Sequence, residues 1–300
     1  MSKNWLISSI ACASIFALSL PVRGQAILPY VPQLDSQDLE SQGLELHQNA
    51  VQLIRFQRYD LALPIAELAV QLAPDQYDVW FILGSLYIQQ EKVSEGIEAL
   101  EEAEAIAPQE EGVLFRLGEA YFRQGNYEAA KEKLEAGLEI NNESPDALFS
   151  LGNTYLRLTE YDDAIDAYEE AFEIEATFWP ALNNVGLVEY EKGDRDEAIS
   201  KWESVIEVDP QQAEPQLALA VALFTEGDVD EAIELGKAAL ELDSRYADLE
   251  FLEENLWGEQ LIADTQEFLR EPQIEAIVSN FEQSEPEETP DPDEGAPIPQ

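Results

Sequence analysis

Three phenylalanines and three arginines in this chain recur at multiples of one spacing. Phe81, Phe115 and Phe149 follow one another at 34 residues; Arg123 and Arg157 do the same, and Arg55 lies two such steps before Arg123. A guanidinium fork can hold a carboxylate or stack on an aromatic ring, and phenylalanine supplies an apolar anchor. Side chains repeated in this way suit recognition of a protein segment with apolar and acidic groups. They do not suit catalysis. His47 is the one histidine, so a two-histidine metal site within the chain is impossible and a nucleophile–histidine pair has no support. The one cysteine, Cys12, sits in an apolar N-terminal run, leaving no thiol elsewhere for a disulfide, a zinc site or a nucleophile. Glutamate pairs such as Glu101-Glu102 read as solvated helix face, and no glycine-rich phosphate loop or EF-hand loop occurs. The expectation is no catalytic residue, no cofactor and no metal.

The same 34-residue step organises the whole chain. From Gly84 it lands on Gly118, Gly152, Gly186 and Ala220, and backward on Ala50. From Gly96 it gives Ala130, Ala164, Ala198 and Ala232, with Ala62 behind; from Ala103, Gly137, Ala171, Val205 and Ala239, with Ala69 behind. Seventeen of these eighteen positions are Gly or Ala, with no insertion between them. A fixed period of this length marks a solenoid. Between the small residues the apolar spacing is helical: Leu114, Leu117, Gly118 and Tyr121 fall at i, i+3, i+4 and i+7. Gly125-Asn126, Gly193-Asp194 and Gly227-Asp228 read as turns between paired helices.

With Trp80, Leu83, Gly84, Tyr87, Gly96, Leu100, Ala103 and Pro108 in place, the chain resembles the tetratricopeptide repeat family over residues 43–246. The resemblance implies an all-α, right-handed superhelical solenoid of six repeats (43–76, 77–110, 111–144, 145–178, 179–212 and 213–246). Local departures are Asn142, Ala176 and Ser244 for the closing proline, and Leu53, Glu189 and Leu223 for the usual tyrosine.

It also implies that certain positions of each first helix face a concave peptide groove. On this chain they are His47, Phe81, Phe115, Phe149 and Asn183, then Glu119 and Asn153, then Arg55, Arg123 and Arg157, with Arg116 and Asn184 adjacent. The row holding Phe122 reads as inter-helix packing rather than ligand contact, and the arginines could equally bridge to glutamates across repeats. Chaperone-tail binders of the family need lysine where this chain has His47, so that ligand is not expected.

Residues 1–26 look like an export signal or membrane anchor: Lys3, then an uncharged run Trp5–Leu20, then Gly24 and Ala26 as a small-x-small cleavage site. Residues 27–42, with Pro29 and Pro32, read as a linker. Residues 247–281 should form helices that cap the open end of the array. Residues 282–300, with acids, prolines and no base, read as a disordered tail.

Sixty-three acidic against sixteen basic residues give a formal net charge of −47, which repels nucleic acid and anionic lipid headgroups. Nucleic acid is excluded as a partner, and a membrane is reached only through the N-terminal segment. The expected function is a non-enzymatic scaffold or assembly factor, exported or membrane-tethered, with protein partners in its groove. The N-terminal apolar segment, the proline-containing linker, the acidic array and the cap run 256–269 together resemble a cyanobacterial-type repeat protein, a kind that at thylakoids helps assemble photosynthetic complexes or pigment enzymes. The other reading is a self-associating structural or secretion component of a bacterial envelope.

Overall fold

The computed structural model describes residues 35–284. The expected signal or anchor at 1–26 lies outside the described residues, as do the start of the expected linker and nearly all of the expected tail. Both neighbouring expectations need trimming at the edge. Helix α1 (Ser36–Arg55) begins inside the segment read as linker, and the last helix runs to Ser284, past the expected start of the tail. Leu39, Leu44 and Leu46 give α1 an apolar side that the prolines before it had obscured, and Asp35 caps it by accepting the Gln37 N–H at 3.0 Å.

Six helix pairs follow one another: α1 with α2 (Tyr59–Leu72), α3 (Tyr77–Gln89) with α4 (Val93–Ile106), and α5 (Glu111–Gln124) with α6 (Tyr127–Ile140). Next come α7 (Pro145–Arg157) with α8 (Tyr161–Ile174), α9 (Trp179–Lys192) with α10 (Arg195–Val208), and α11 (Ala213–Glu226) with α12 (Val229–Leu242). Pro145 and Pro180 stand in the first turns of α7 and α9, where a missing N–H costs nothing. This is the all-α solenoid that the period implies.

The small residues sit where helices meet. Ala62, Ala130, Ala164, Ala198 and Ala232 have no exposed surface. A Cβ on Gly186 would fall against the Trp202 indole, and one on Gly152 against the Tyr168 ring, so large side chains from the second helix fill the space that each glycine leaves. Successive pairs are tied by a polar ladder. Tyr87 donates to Glu67 at 3.0 Å, Tyr121 to Glu101 at 2.6 Å and Tyr155 to Glu135 at 2.8 Å, each from the first helix of one repeat to the second helix of the repeat before. Lys133 to Glu104 and Lys201 to Glu169 join second helices across repeats in the same direction.

The first helices pack in a row, α1 on α3, α3 on α5 and α5 on α7, which makes theirs the inner face. Beyond α12, a 3-10 turn (Ser244–Ala247) leads to α13 (Leu249–Glu254), α14 (Glu259–Phe268) and α15 (Pro272–Ser284). As expected for a cap, α15 covers α12. The unexpected element is α14, which packs against both α9 and α11 and so lies along the inner face of the last two repeats. Leu252, Trp257, Leu261, Phe268 and Ile274 join one core with Tyr190, Trp202, Leu217 and Leu240.

Candidate functional site

The inner face therefore has two halves. Along α9 and α11 it is filled by the chain itself. Glu191, at the end of α9, accepts the main-chain N–H of Gln260 at 3.2 Å and of Leu261 at 3.0 Å, satisfying donors in the first turn of α14 that have no partner within the helix. Tyr190 donates to Asp264 at 2.6 Å, and Arg195 lies 3.6 Å from the same carboxylate. Burial, then the bond to Asp264, pushes the Tyr190 pKa up to about 12, so the phenol stays a donor throughout the physiological range. Trp257 donates its indole N–H to Glu214 at 3.1 Å. Burial pushes the Glu214 carboxyl above its ordinary value against the hydrogen bonds from Trp257, Asn183 and Tyr246, which pull it down.

Along α1 to α7 no other element among the described residues packs over the face. Glu119, Phe122, Arg123, Phe149, Ser150 and Asn153 line a cavity of about 320 Å³ between α5 and α7. Arg123 is exposed and has no hydrogen-bond or ion-pair partner among the described residues. Phe149 is half-buried, its ring 5.6 Å from Tyr168 and 5.4 Å from Phe178, so it both supports the core and floors the cavity.

The residues expected to line a groove are thus sorted by the fold. Glu119, Arg123, Phe149 and Asn153 come together at one cavity. Arg116 is nearby but engaged, paired with Glu119 at 2.7 Å. Phe115 lies over Gly137 of its own repeat, which gives it a packing role. Phe81 packs against the core cluster of α3 to α5. Asn183 and Asn184 are buried rather than presented to a ligand: Asn184 bonds Asn153 at 3.1 Å, and Asn153 also accepts from the Tyr168 hydroxyl at 2.7 Å. Arg157 reaches the cap, donating to the Glu253 carbonyl at 3.3 Å. His47 stands at the far end, its Nε2 3.6 Å from Asp78, and Arg55 is exposed on the last turn of α1.

Sequence reasoning missed the residues that hold the cap, namely Glu191, Glu214, Tyr190 and Asp264. One signal was available. Glu191 is the acid in a row whose other members include Arg55, Arg123 and Arg157. Phe122, read as packing, also lines the cavity.

Chemically the site can hold and orient a protein segment. Among the described residues no group of three His, Cys, Asp or Glu side chains is placed to hold a metal ion, and no helix is long and apolar enough to cross a membrane.

The family profile described as "Tetratricopeptide repeat" matches residues 49–111, 115–176 and 186–247, and a second profile of the same description matches 87–137. No curated protein matches the chain. Among solved structures the chain is similar to MamA at 26% identity and TM-score 0.51, over 55% of this chain and 96% of that one. It is similar in fold to YrrB, titled a protein "with an unusual peptide-binding site", at 19% identity and TM-score 0.52, over 60% of this chain and 90% of that one. PilF of Pseudomonas aeruginosa shares the fold at 16% identity and TM-score 0.59, over 73% of this chain and 98% of that one.

Proposed function

The chain belongs to the tetratricopeptide repeat family, and from that premise we propose that it is a non-enzymatic scaffold holding a segment of a partner protein on the inner face of α3 to α7. One observation carries the reading: Arg123, without a partner among the described residues, stands beside Phe122 and Phe149 at a cavity, in a chain of net charge −47 whose other inner half is already filled. Among the described residues Arg123 has no hydrogen-bond or ion-pair partner, which leaves its guanidinium available to a segment of a partner protein. The export-like sequence of residues 1–26 supports an exported or membrane-tethered setting, with a bacterial envelope as the favoured one.

Of the features behind the thylakoid reading the run 256–269 is the specific one, and its apolar residues serve to pack the cap. Trp257, Leu261, Thr265 and Phe268 are buried, Ile262 and Leu269 pack partly against the same core, and Glu259, Gln260, Ala263, Gln266 and Glu267 are exposed.

A second reading, favoured by the likeness to MamA, is a self-associating structural or secretion component of a bacterial envelope, joined through the repeat ends or the N-terminal segment. The outer side of α1 shows Gln42, Glu45, Gln48, Asn49 and Gln52 to solvent, a polar end face, while α15 packs on α12 at the other end. Light scattering across a concentration series separates a chain that stays small from one that grows.

The direct test is cross-linked affinity purification from native membranes with wild type beside Arg123→Glu, an exposed position where folding should be unaffected. A protein recovered with wild type and lost with the variant identifies partner and site together. The same proteins recovered with both would sink the reading.

A further inference from the structure

We infer that the open half of the groove takes a helix of the partner protein by its C-terminal end, with Arg123 on the terminal carbonyls. This rests on the groove reading above and names the partner's chemistry.

Arg123, Arg157 and Glu191 occupy one equivalent place, each 34 residues from the next, on α5, α7 and α9. Two of the three are seen at work. Arg157 donates to the carbonyl of Glu253 at the C-terminal end of α13, an oxygen that also accepts the Leu256 N–H at 3.2 Å. Glu191 accepts two main-chain N–H groups in the first turn of α14, where the partial charge is positive. At this place a cation meets a helix C-terminus and an anion meets a helix N-terminus.

Arg123 carries the same charge as Arg157, one repeat earlier on the same face. It is exposed and without a described partner, and Phe122 and Phe149 beside it offer apolar contact to the body of a helix. The cavity it lines adjoins the half that α13 and α14 already fill, so an incoming helix would extend an arrangement the chain makes with itself. Arg116 would not compete for the same end, being held by Glu119.

The test uses the full chain and a synthetic amphipathic helical peptide with a leucine–phenylalanine stripe and an amidated end. It is made with a neutral last turn, with lysines there, or with glutamates there. General attraction to a chain of net charge −47 favours the lysine form. The inference requires the reverse: by calorimetry at physiological salt, the neutral form binds about tenfold tighter than the lysine form. Arg123→Glu abolishes that preference, and Arg123→Lys keeps part of it. Equal or tighter binding of the lysine form, a preference that survives in Arg123→Glu, or binding by none of the peptides overturns the inference. Binding by the glutamate form alone also overturns it, giving Arg123 to side-chain carboxylates. None of these results touches the groove reading, which stands or falls on the native cross-linking.

Discussion

The carboxylate of Glu191 accepts the main-chain N–H of Leu261 at 3.0 Å, and this bond ties the wall of the groove to the helix that fills it. Gln260 shares the same carboxylate at 3.2 Å, and a Cβ on Gly258 would run into it, so glycine is the residue that lets the two approach. An acid 70 residues away in sequence thus performs the work of an N-cap for α14.

Glu191→Ala should therefore loosen α14 by about 1–2 kcal/mol, the usual cost of losing a helix cap. The helix stays anchored by Leu261 and Phe268, both fully buried, so the array should not unfold. Hydrogen exchange is the measurement: amides at the start of α14 should exchange faster, with α3 to α6 unchanged. Unaltered protection there would mean that the apolar contacts alone seat the cap.

How much of this was legible beforehand differs by element. The starts of α3, α5, α7, α9 and α11 fall on the first residues of the repeats read from the Gly and Ala period, because a small residue at a helix crossing is a strict local demand. The cap's position in the groove was not legible. Glu191 and Leu261 announce nothing to each other in sequence, and contacts of that separation leave no periodic trace. Phe115 could have been placed better: Gly137, within the same repeat, leaves the gap its ring covers.

Glu214 should make the cap sensitive to pH. Its folded-state pKa is raised above the ordinary 4.5, chiefly by burial, so the folded chain holds this proton more tightly than the unfolded one. The contribution to stability is complete below the ordinary carboxylate value and is lost as pH rises through the raised one. Glu214→Gln removes the charge while leaving an oxygen to accept from Trp257 and Tyr246. Thermal unfolding of the variant should be higher than wild type at neutral pH and converge with it in mild acid. A variant less stable at neutral pH would show that the ionised form is the favoured one.

The turns inside each repeat carry unequal strain. Gly125, Gly193 and Gly227 take φ of 81°, 91° and 98°, in the region that favours glycine, and the equivalent residues of other repeats are Gln57, Glu91 and Thr159 at 56°, 61° and 61°. A β-branched side chain there is the least comfortable. Thr159→Gly should stabilise the chain by roughly 1 kcal/mol, reduced somewhat by glycine's freedom in the unfolded state. Gly193→Thr should destabilise it by a similar amount. Denaturant midpoints of the two variants, moving in opposite directions, are the check, and a fall for Thr159→Gly would refute the strain.

The tyrosine ladder predicts a coupling that can be isolated. Tyr121 donates to Glu101 at 2.6 Å, and the phenol pKa is raised by burial and by that bond, so it remains a donor at any ordinary pH. Tyr121→Phe should cost about 1–2 kcal/mol, as expected for a bond to a charged acceptor that is partly open to water. Glu101→Gln should cost less, since the amide oxygen can still accept. In a double-mutant cycle the pair should couple by about 1 kcal/mol. In a solenoid, where each repeat touches only its neighbours, the loss should appear as weakened docking of α5 on α4. Glu189 supplies the comparison. It stands where the fifth repeat would place its tyrosine, and the acceptor one repeat back, Glu169, is bound by Lys201 at 3.0 Å. Glu189→Gln should show no coupling to Glu169→Gln, and a coupling as large as that of Tyr121 with Glu101 would mean that the ladder is not built from the tyrosine bond.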